Sequence, residues 1–358
     1  MTEKHVVRFE PVGIEIEVSE DQNILRGAAE QGIMLMHGCK EGQCASCKSF
    51  VLDGEDIEHD RYSTFALPDY EKDEGYTLLC RAHAYEDVTI ELLNYDEEMI
   101  RSGLPIQQAV AEVAAIEPVT HDMRRLVLRL IEPAEVKFFP GQYMDIAIPG
   151  TDEVRSFSMA NTSARDRMME FVVKVYPDGL FSQFLDTRLR PGDRLDLTGP
   201  FGVFTLREGE SPLVFIGGGA GMAPILSLLR SMAERGIGRK ATFFYGARGQ
   251  RDLCFGDELR AIGAALPDFR YIPALSAPAP DPPPDIPDIS GMSGGAWDGE
   301  TGLITDVVRR LAPTLAGAHA YVCGPPPMVE AAIPLLETLG VESKRIYYDK
   351  FTTTGETQ

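Results

Sequence analysis

The chain has 358 residues, 44% apolar and 25% charged, enough for two or three globular domains with more than one core. Its net charge of −21 excludes the basic face that nucleic-acid phosphates require, and no apolar run is long enough to cross a bilayer. The opening MTEKHVVRFE lacks the layout of a signal peptide, so the cytoplasm is the expected location, and the six cysteines are read as metal ligands, catalytic groups or core thiols.

Residues 4–18 alternate apolar and polar about a Pro-Val-Gly turn, which predicts a hairpin. A helix follows, with Ile24, Leu25, Ala28, Ala29 and Ile33 at helical spacing, Asp21 or Asn23 as cap and Gly32 at its end. A cysteine loop and the strand-like runs CKSFVLDG and DVTIELLNY complete a compact α+β module, residues 1–98, joined by a polar linker, 99–107. Residues 1–100 hold 23 acidic and 8 basic side chains, a net −15, against −6 for the rest. A basic docking partner suits that asymmetry, because opposite fields speed encounter.

Residues 108–207 are strand-rich with Gly and Pro turns, which predicts an antiparallel barrel or sandwich. From 208 to 358, buried strands alternate with helices, including RDLCFGDELRAIGAAL as one helix, and imply an α/β doubly wound parallel sheet. The Pro-, Gly- and Asp-rich stretch 277–295 reads as a surface insertion.

Three sites carry chemistry. Cys39, Cys44 and Cys47 form C-x4-C-x2-C, and Cys80 follows after 32 residues. That is the plant-type spacing for a [2Fe–2S] cluster, a class with potentials near about −400 mV. Gly38, Gly42, Ala45 and Ser46 let the backbone wrap tightly and aim N–H groups at sulfur. Zinc knuckles favour paired C-x2-C arms, and only one such pair is present. In the barrel, VRSFS places Arg155, Ser156, Phe157 and Ser158 at a strand edge, with an arginine for a pyrophosphate and a serine for a flavin nitrogen. The run Lys174, Val175, Tyr176 leads to Gly179 and Ser182 at a helix start, a place for phosphate. Further on, Gly217, Gly218, Gly219 and Gly221, with Met222 and Pro224, form a strand–turn–helix that admits a dinucleotide pyrophosphate. A second strand-to-turn site holds Cys323, Gly324 and Pro325.

With these motifs in place, the whole chain resembles the reductase components of soluble di-iron monooxygenases, of the methane, propane, alkene or cyclic-ether type. The resemblance spans residues 3–352. It implies a β-grasp ferredoxin, an FAD barrel and an NAD domain. Arg155, Phe157 and Ser158 match R-x-[YF]-S, and Gly179 and Ser182 match G-x-x-S. Gly217 to Pro224 match G-G-x-x-G-x-A-P, and Cys323 to Met328 match C-G-P-P-x-M. The last strand would bring Asp349 and Phe351 to the flavin, where the family more often has Glu. Phe157 keeps a stacking face and loses the hydroxyl of the commoner Tyr.

The implied path is NADH to FAD to [2Fe–2S] to a di-iron hydroxylase, with Ser158, Cys323 and Asp349 shaping the hydride site. Arg248 and Arg251 would suit the 2′-phosphate of NADPH and Asp252 opposes it; the resemblance tips the expectation to NADH. The alternatives are the reductase of a Rieske-type aromatic-ring dioxygenase, a non-catalytic redox-sensing metal module and a free flavin reductase. The ferredoxin module argues against the last, since free-flavin reduction needs no cluster.

Overall fold

The structure, a computed structural model, describes residues 3–95, 97, 100, 103–104, 106–163, 167–277 and 297–351. Most of the Pro-rich stretch, 278–295, therefore lies outside the described residues. The chain divides into two units, one built mainly on residues 1–107 and the other on 108–199 and 204–351.

In the first unit, β1 (Lys4–Glu10) and β2 (Ile14–Ser19) form the expected antiparallel hairpin, with Phe9 opposite Ile14. Strand alternation buries Ile14, Ile16 and Val18 and exposes Glu15 and Glu17. Helix α1 (Ile24–Glu30) is capped by Asn23, not Asp21: its Oδ1 accepts from the Arg26 amide at 2.9 Å. Gly32, at φ +77°, follows the helix end. Then come β3 (Lys48–Asp53), β4 (Ile57–His59), α2 (Asp69–Asp73), β5 (Tyr76–Leu78), β6 (Ala82–Ala84) and β7 (Val88–Glu91). The sheet order is β2-β1-β7-β3-β5, with β4 and β6 paired separately. Phe9, Val18, Ile24, Leu67, Leu78 and Ile90 fill the space between sheet and helix. This is the β-grasp arrangement, with β1 and β7 parallel at its centre.

The second unit begins with β8 (Gln107–Thr120), β9 (Met123–Glu132), β10 (Tyr143–Ala147), β11 (Val154–Ser158), β12 (Met168–Lys174), α3 (Leu180–Thr187) and β13 (Arg194–Phe201). The sheet runs β11-β10-β13-β8-β9-β12. It closes where Met159 bridges Phe171 and the Ala160 amide donates to the Glu170 carbonyl at 2.7 Å. Closure removes the free edges that an open sheet would leave.

The remainder is β14 (Leu213–Gly218), α4 (Met222–Arg235), β15 (Ala241–Ala247), α5 (Gly256–Ala265), β16 (Phe269–Leu275), β17 (Glu300–Thr301), α6 (Ile304–Leu311), β18 (His319–Gly324), α7 (Pro326–Thr338) and β19 (Ile346–Lys350). The order β17-β16-β15-β14-β18-β19 is parallel throughout, and the chain reverses its direction across the sheet between β14 and β18. Strand β14 is buried along its whole length, as a central parallel strand must be. Ile225, Leu226, Leu228, Leu229 and Met232 of α4 are fully buried, each contributing about 1.5–3 kcal/mol of transfer free energy. One sequence reading needs correction. Residues 251–255 do not belong to α5: they form a tight turn and an extended step, and Phe255 enters the left-handed region at φ +56° before the helix starts.

Candidate redox sites

The cysteine loop lies on irregular backbone between α1 and β3, and Cys80 lies between β5 and β6. The four thiols interact there: Cys39 acts on Cys44, and Cys80 on Cys47 and then Cys39. Backbone amides converge on the sulfurs: Gln43 and Glu41 donate to Cys39 Sγ at 3.2 and 3.4 Å, and Cys39 to Cys44 Sγ at 3.3 Å. Hydrogen bonds from Cys39 and then Ser46 pull the Cys44 thiol down to about 5, against the opposing effect of burial. Its hydrogen bond to Cys44, followed by burial, pushes Cys39 up. The loop is bent hard: Lys40 and Ala45 both have φ near +59°, the left-handed region that costs a non-glycine residue about 1–2 kcal/mol. Gly42, at φ +69°, has no room for a side chain, because a Cβ there would sit 2.6 Å from Tyr62 Cβ. Beside this turn the Ser63 amide donates to the Gly42 carbonyl, and Phe65 stands 96% exposed.

In the barrel, Arg155 and Phe157 share one face of β11, at the edge of the strand order. Phe157 packs on Phe181 of α3, ring centroids 4.6 Å apart, so the R-x-F-S and G-x-x-S motifs are brought side by side. Gly179 caps α3, and the Ser182 hydroxyl accepts from the Tyr176 amide at 2.9 Å. The Arg155 guanidinium donates to Glu153 at 2.6 Å, and Ser158 is buried. Ser156 lies on the opposite face from Arg155 and donates to Asp145, and Lys174 is paired with Asp122, whose carbonyl also accepts from the Val175 amide.

At the dinucleotide turn, Gly219 has φ +56° and open space around its Cα. Gly221 instead faces the Cys323 carbonyl, which a Cβ would approach to 2.2 Å. Register aligns Gly217 with Cys323 and Cys323 with Asp349 across the three strands at their carboxyl ends. That is the switch point where ligands bind in open α/β sheets. Burial, and after it the nearby Asp349, raises the Cys323 thiol well above its ordinary value, so it stays protonated. The Phe351 amide donates to the Gly324 carbonyl at 2.9 Å and fixes the chain beyond β19. Met222, Pro224 and Pro325 lie at the first turns of α4 and α7. Cys254 is a core thiol held by Tyr245 and pushed up to about 12 by burial.

Comparison with known proteins finds three domains in the same order. Residues 7–85 match the 2Fe-2S iron-sulfur cluster binding domain, 110–206 the oxidoreductase FAD-binding domain and 215–333 the oxidoreductase NAD-binding domain. The chain is 51% identical over 354 residues to the reductase component of propane 2-monooxygenase from Mycolicibacterium goodii, covering 99% of each chain. It is 34% identical to the phenol 2-monooxygenase reductase component DmpP from Pseudomonas sp. strain CF600, covering 98% and 95%. The chain belongs to the reductase components of multicomponent monooxygenases. Among solved structures, the Amycolatopsis cytochrome P450 reductase GcoB superposes with a TM-score of 0.83 at 29% identity, covering 97% of this chain and 99% of that one. This reductase is thus an electron-transfer oxidoreductase whose domains hold [2Fe–2S], FAD and NADH. No helix of the described residues is long and apolar enough to cross a membrane.

Arg230 belongs to no motif, yet a charge amid the apolar residues of the run APILSLLRSMAERG is the signal that marks it.

Proposed function

We propose that this reductase takes a hydride from NADH and delivers single electrons, in the cytoplasm, to a di-iron hydroxylase that oxidises a small alkane. The observation that carries the hydride site is the register placing Gly217, Cys323 and Asp349 side by side at the switch point. When bound, FAD supplies the conversion of a two-electron donor into one-electron steps that the cluster carries. The protein's own residues hold and orient. Cys39, Cys44, Cys47 and Cys80 ligate the cluster. Arg155 leaves Glu153 to clamp the flavin pyrophosphate, and the α3 N-terminus at Gly179 and Ser182 takes phosphate. Phe157 offers a ring face, Ser158 a hydroxyl and Tyr176 a half-exposed wall. Gly217 to Gly221 admit the NADH pyrophosphate, while the neutral Cys323 thiol, Asp349 and Phe351 bound the nicotinamide. A charged thiolate at Cys323 would attract the positive NAD+ ring and hinder its release, so a protonated thiol suits turnover.

End-to-end identity of 51% with a propane 2-monooxygenase reductase component supports the choice of partner and substrate class. The acidic first module, with Phe65 as an apolar anchor, is the proposed docking face. The test is anaerobic NADH addition followed by reconstitution with the purified hydroxylase. Bleaching of both flavin and cluster bands, then NADH-dependent alkane oxidation, is the expected result. Flavin bleaching over an inert cluster would overturn the path, and turnover only with a Rieske oxygenase would overturn the partner.

A further inference from the structure

Arg230 sits in the middle of α4, 5% exposed, with its guanidinium turned away from its own sheet toward the barrel. Its Nη1 donates to the Ala160 carbonyl at 2.7 Å and its Nη2 to Glu170 Oε1 at 3.1 Å. Nε and Nη2 grip Glu258 of α5 at 2.6 and 2.9 Å in a two-pronged pair. Glu170 is itself buried and accepts from Arg125 at 2.9 Å through its other oxygen. One turn earlier on α4, the Ser227 hydroxyl donates to the Asn161 carbonyl at 2.7 Å. The network therefore joins β9, β12 and the segment after β11 to α4 and α5, alternating in sign along its length.

Its endpoints matter. Ala160 lies two residues beyond Ser158, and the Ala160 amide bonds the Glu170 carbonyl. Helix α4 springs from the turn Gly217–Gly221. One guanidinium thus ties the backbone carrying the flavin-side serine to the helix carrying the dinucleotide turn. Apolar packing accompanies it, since Val119, Met123, Ala160 and Val172 share a cluster with Leu226 and Leu229. Apolar contact is non-directional and tolerates sliding, whereas a guanidinium with three fixed acceptors does not.

We infer that Arg230 is a positioning residue for hydride transfer, setting where the nicotinamide half stands relative to the flavin half through Ala160, Glu170 and Glu258. The inference rests on the hydride site proposed above. Hydride transfer depends steeply on this placement, since a shift of about 1 Å can cost on the order of 10²-fold in rate.

The test uses the full-length holoprotein with Arg230→Met, Arg230→Lys and Glu258→Gln. Stopped-flow mixing with saturating NADH measures the limiting rate of flavin bleaching, and hydrogen exchange measures protection at Ala160 and along α4. R230M is expected to lower the limiting rate roughly 10- to 100-fold. FAD content and the cluster spectrum stay as in wild type, and the Ala160 amide loses protection. R230K, which keeps the charge and part of the bonding, recovers most of the rate, and E258Q gives a smaller loss of the same kind. The inference is overturned if R230M bleaches at the wild-type rate, or if its loss merely follows lost FAD or a weaker NADH affinity at unchanged limiting rate. Failure of the wild type itself to bleach would sink the proposed hydride site instead. The exchange measurement needs no NADH and then decides alone: unchanged Ala160 protection in R230M overturns the inference.

Discussion

The cluster loop and the dinucleotide turn are both rich in glycine, and they use it against different things. At the cluster loop, Gly42 answers a left-handed bend crowded by Tyr62, and Lys40 and Ala45 adopt the same unfavourable region without being glycine. Strain of that kind persists only where something over-determines it, and the four metal–thiolate bonds proposed above would do so. At the dinucleotide turn, Gly221 has ordinary φ and is small because the Cys323 backbone lies against it. No metal is needed there: a parallel sheet buried on both sides holds the turn in advance. One site is completed by its cofactor, and the other is built before its ligand arrives.

Removing one sulfur should have the largest effect. Cys44→Ser is expected to abolish the native cluster's electron paramagnetic resonance signal and electron delivery to the oxygenase, while NADH still bleaches the flavin at close to the wild-type rate. Calorimetry should show the first unit melting earlier and the second unchanged. A variant whose NADH–flavin reaction also collapses would mean that the second unit is not formed independently of the cluster.

The converse change is Gly221→Ala. Its new methyl would stand 2.2 Å from the Cys323 carbonyl oxygen, so β18 or the turn must move. A loss of about 10²-fold or more in NADH-driven flavin reduction is expected, with the cluster signal intact. Near-normal NADH kinetics would show that the sheet end yields where the comparison holds it rigid.

How much of this was legible beforehand follows the same division. Thiolate ligation constrains spacing along the chain, so the proposed ligands Cys39, Cys44, Cys47 and Cys80 stand out without a fold. The run Leu213–Gly218 is nearly as readable, because a central parallel strand must be apolar on both faces. The order of motifs made the three folds readable as well. Arg230 was not, since its meaning lies in Ala160 and Glu170, 70 and 60 residues away. The start of α5 is not legible because Phe255, Leu259, Ile262 and Leu266 keep helical spacing and no proline interrupts the run. Only the Asp252 carboxylate, which accepts from the Gly249 amide at 2.8 Å, shows why the chain turns first. The present partners of Lys174 and Ser156, Asp122 and Asp145, lie 52 and 11 residues away along the chain, so sequence alone does not show them.

A smaller effect is expected from salt. The first 100 residues carry −15 of the chain's −21, so a docking face there works through long-range attraction. Raising ionic strength from about 0.05 to 0.5 M should slow reduction of the oxygenase severalfold by screening that field. NADH-to-ferricyanide turnover, which needs no docking, should hardly move. Equal slowing of both would remove the acidic face from the account, and Phe65→Ala would then be expected to leave docking untouched.

The smallest expected effect separates the units by pH. His59 on β4 is largely buried, with Nε2 2.8 Å from the Thr77 hydroxyl and a buried Nδ1 that has no hydrogen-bond partner among the described residues. Burial first, then the charges of Lys72 and His83, depress its pKa from 6.5 to about 4, against a weaker opposing pull from Asp60. The unfolded ring takes up its proton near pH 6.5, and the folded ring refuses it until about pH 4. The folded first unit therefore loses stability as pH falls through that window and regains it as pH rises. Solvent screening of a partly exposed ring leaves about 1–2 kcal/mol of this effect, enough to shift a melting temperature by several degrees in a unit of this size. His59→Gln keeps an amide for Thr77 and cannot titrate. Its first-unit transition should fall less than the wild type's between pH 7 and about 4.5, and the second-unit transition should move equally in both proteins. An identical pH response of the first unit in wild type and variant would show that this ring is protonated in the folded state, and that acid sensitivity belongs instead to the carboxylates around it.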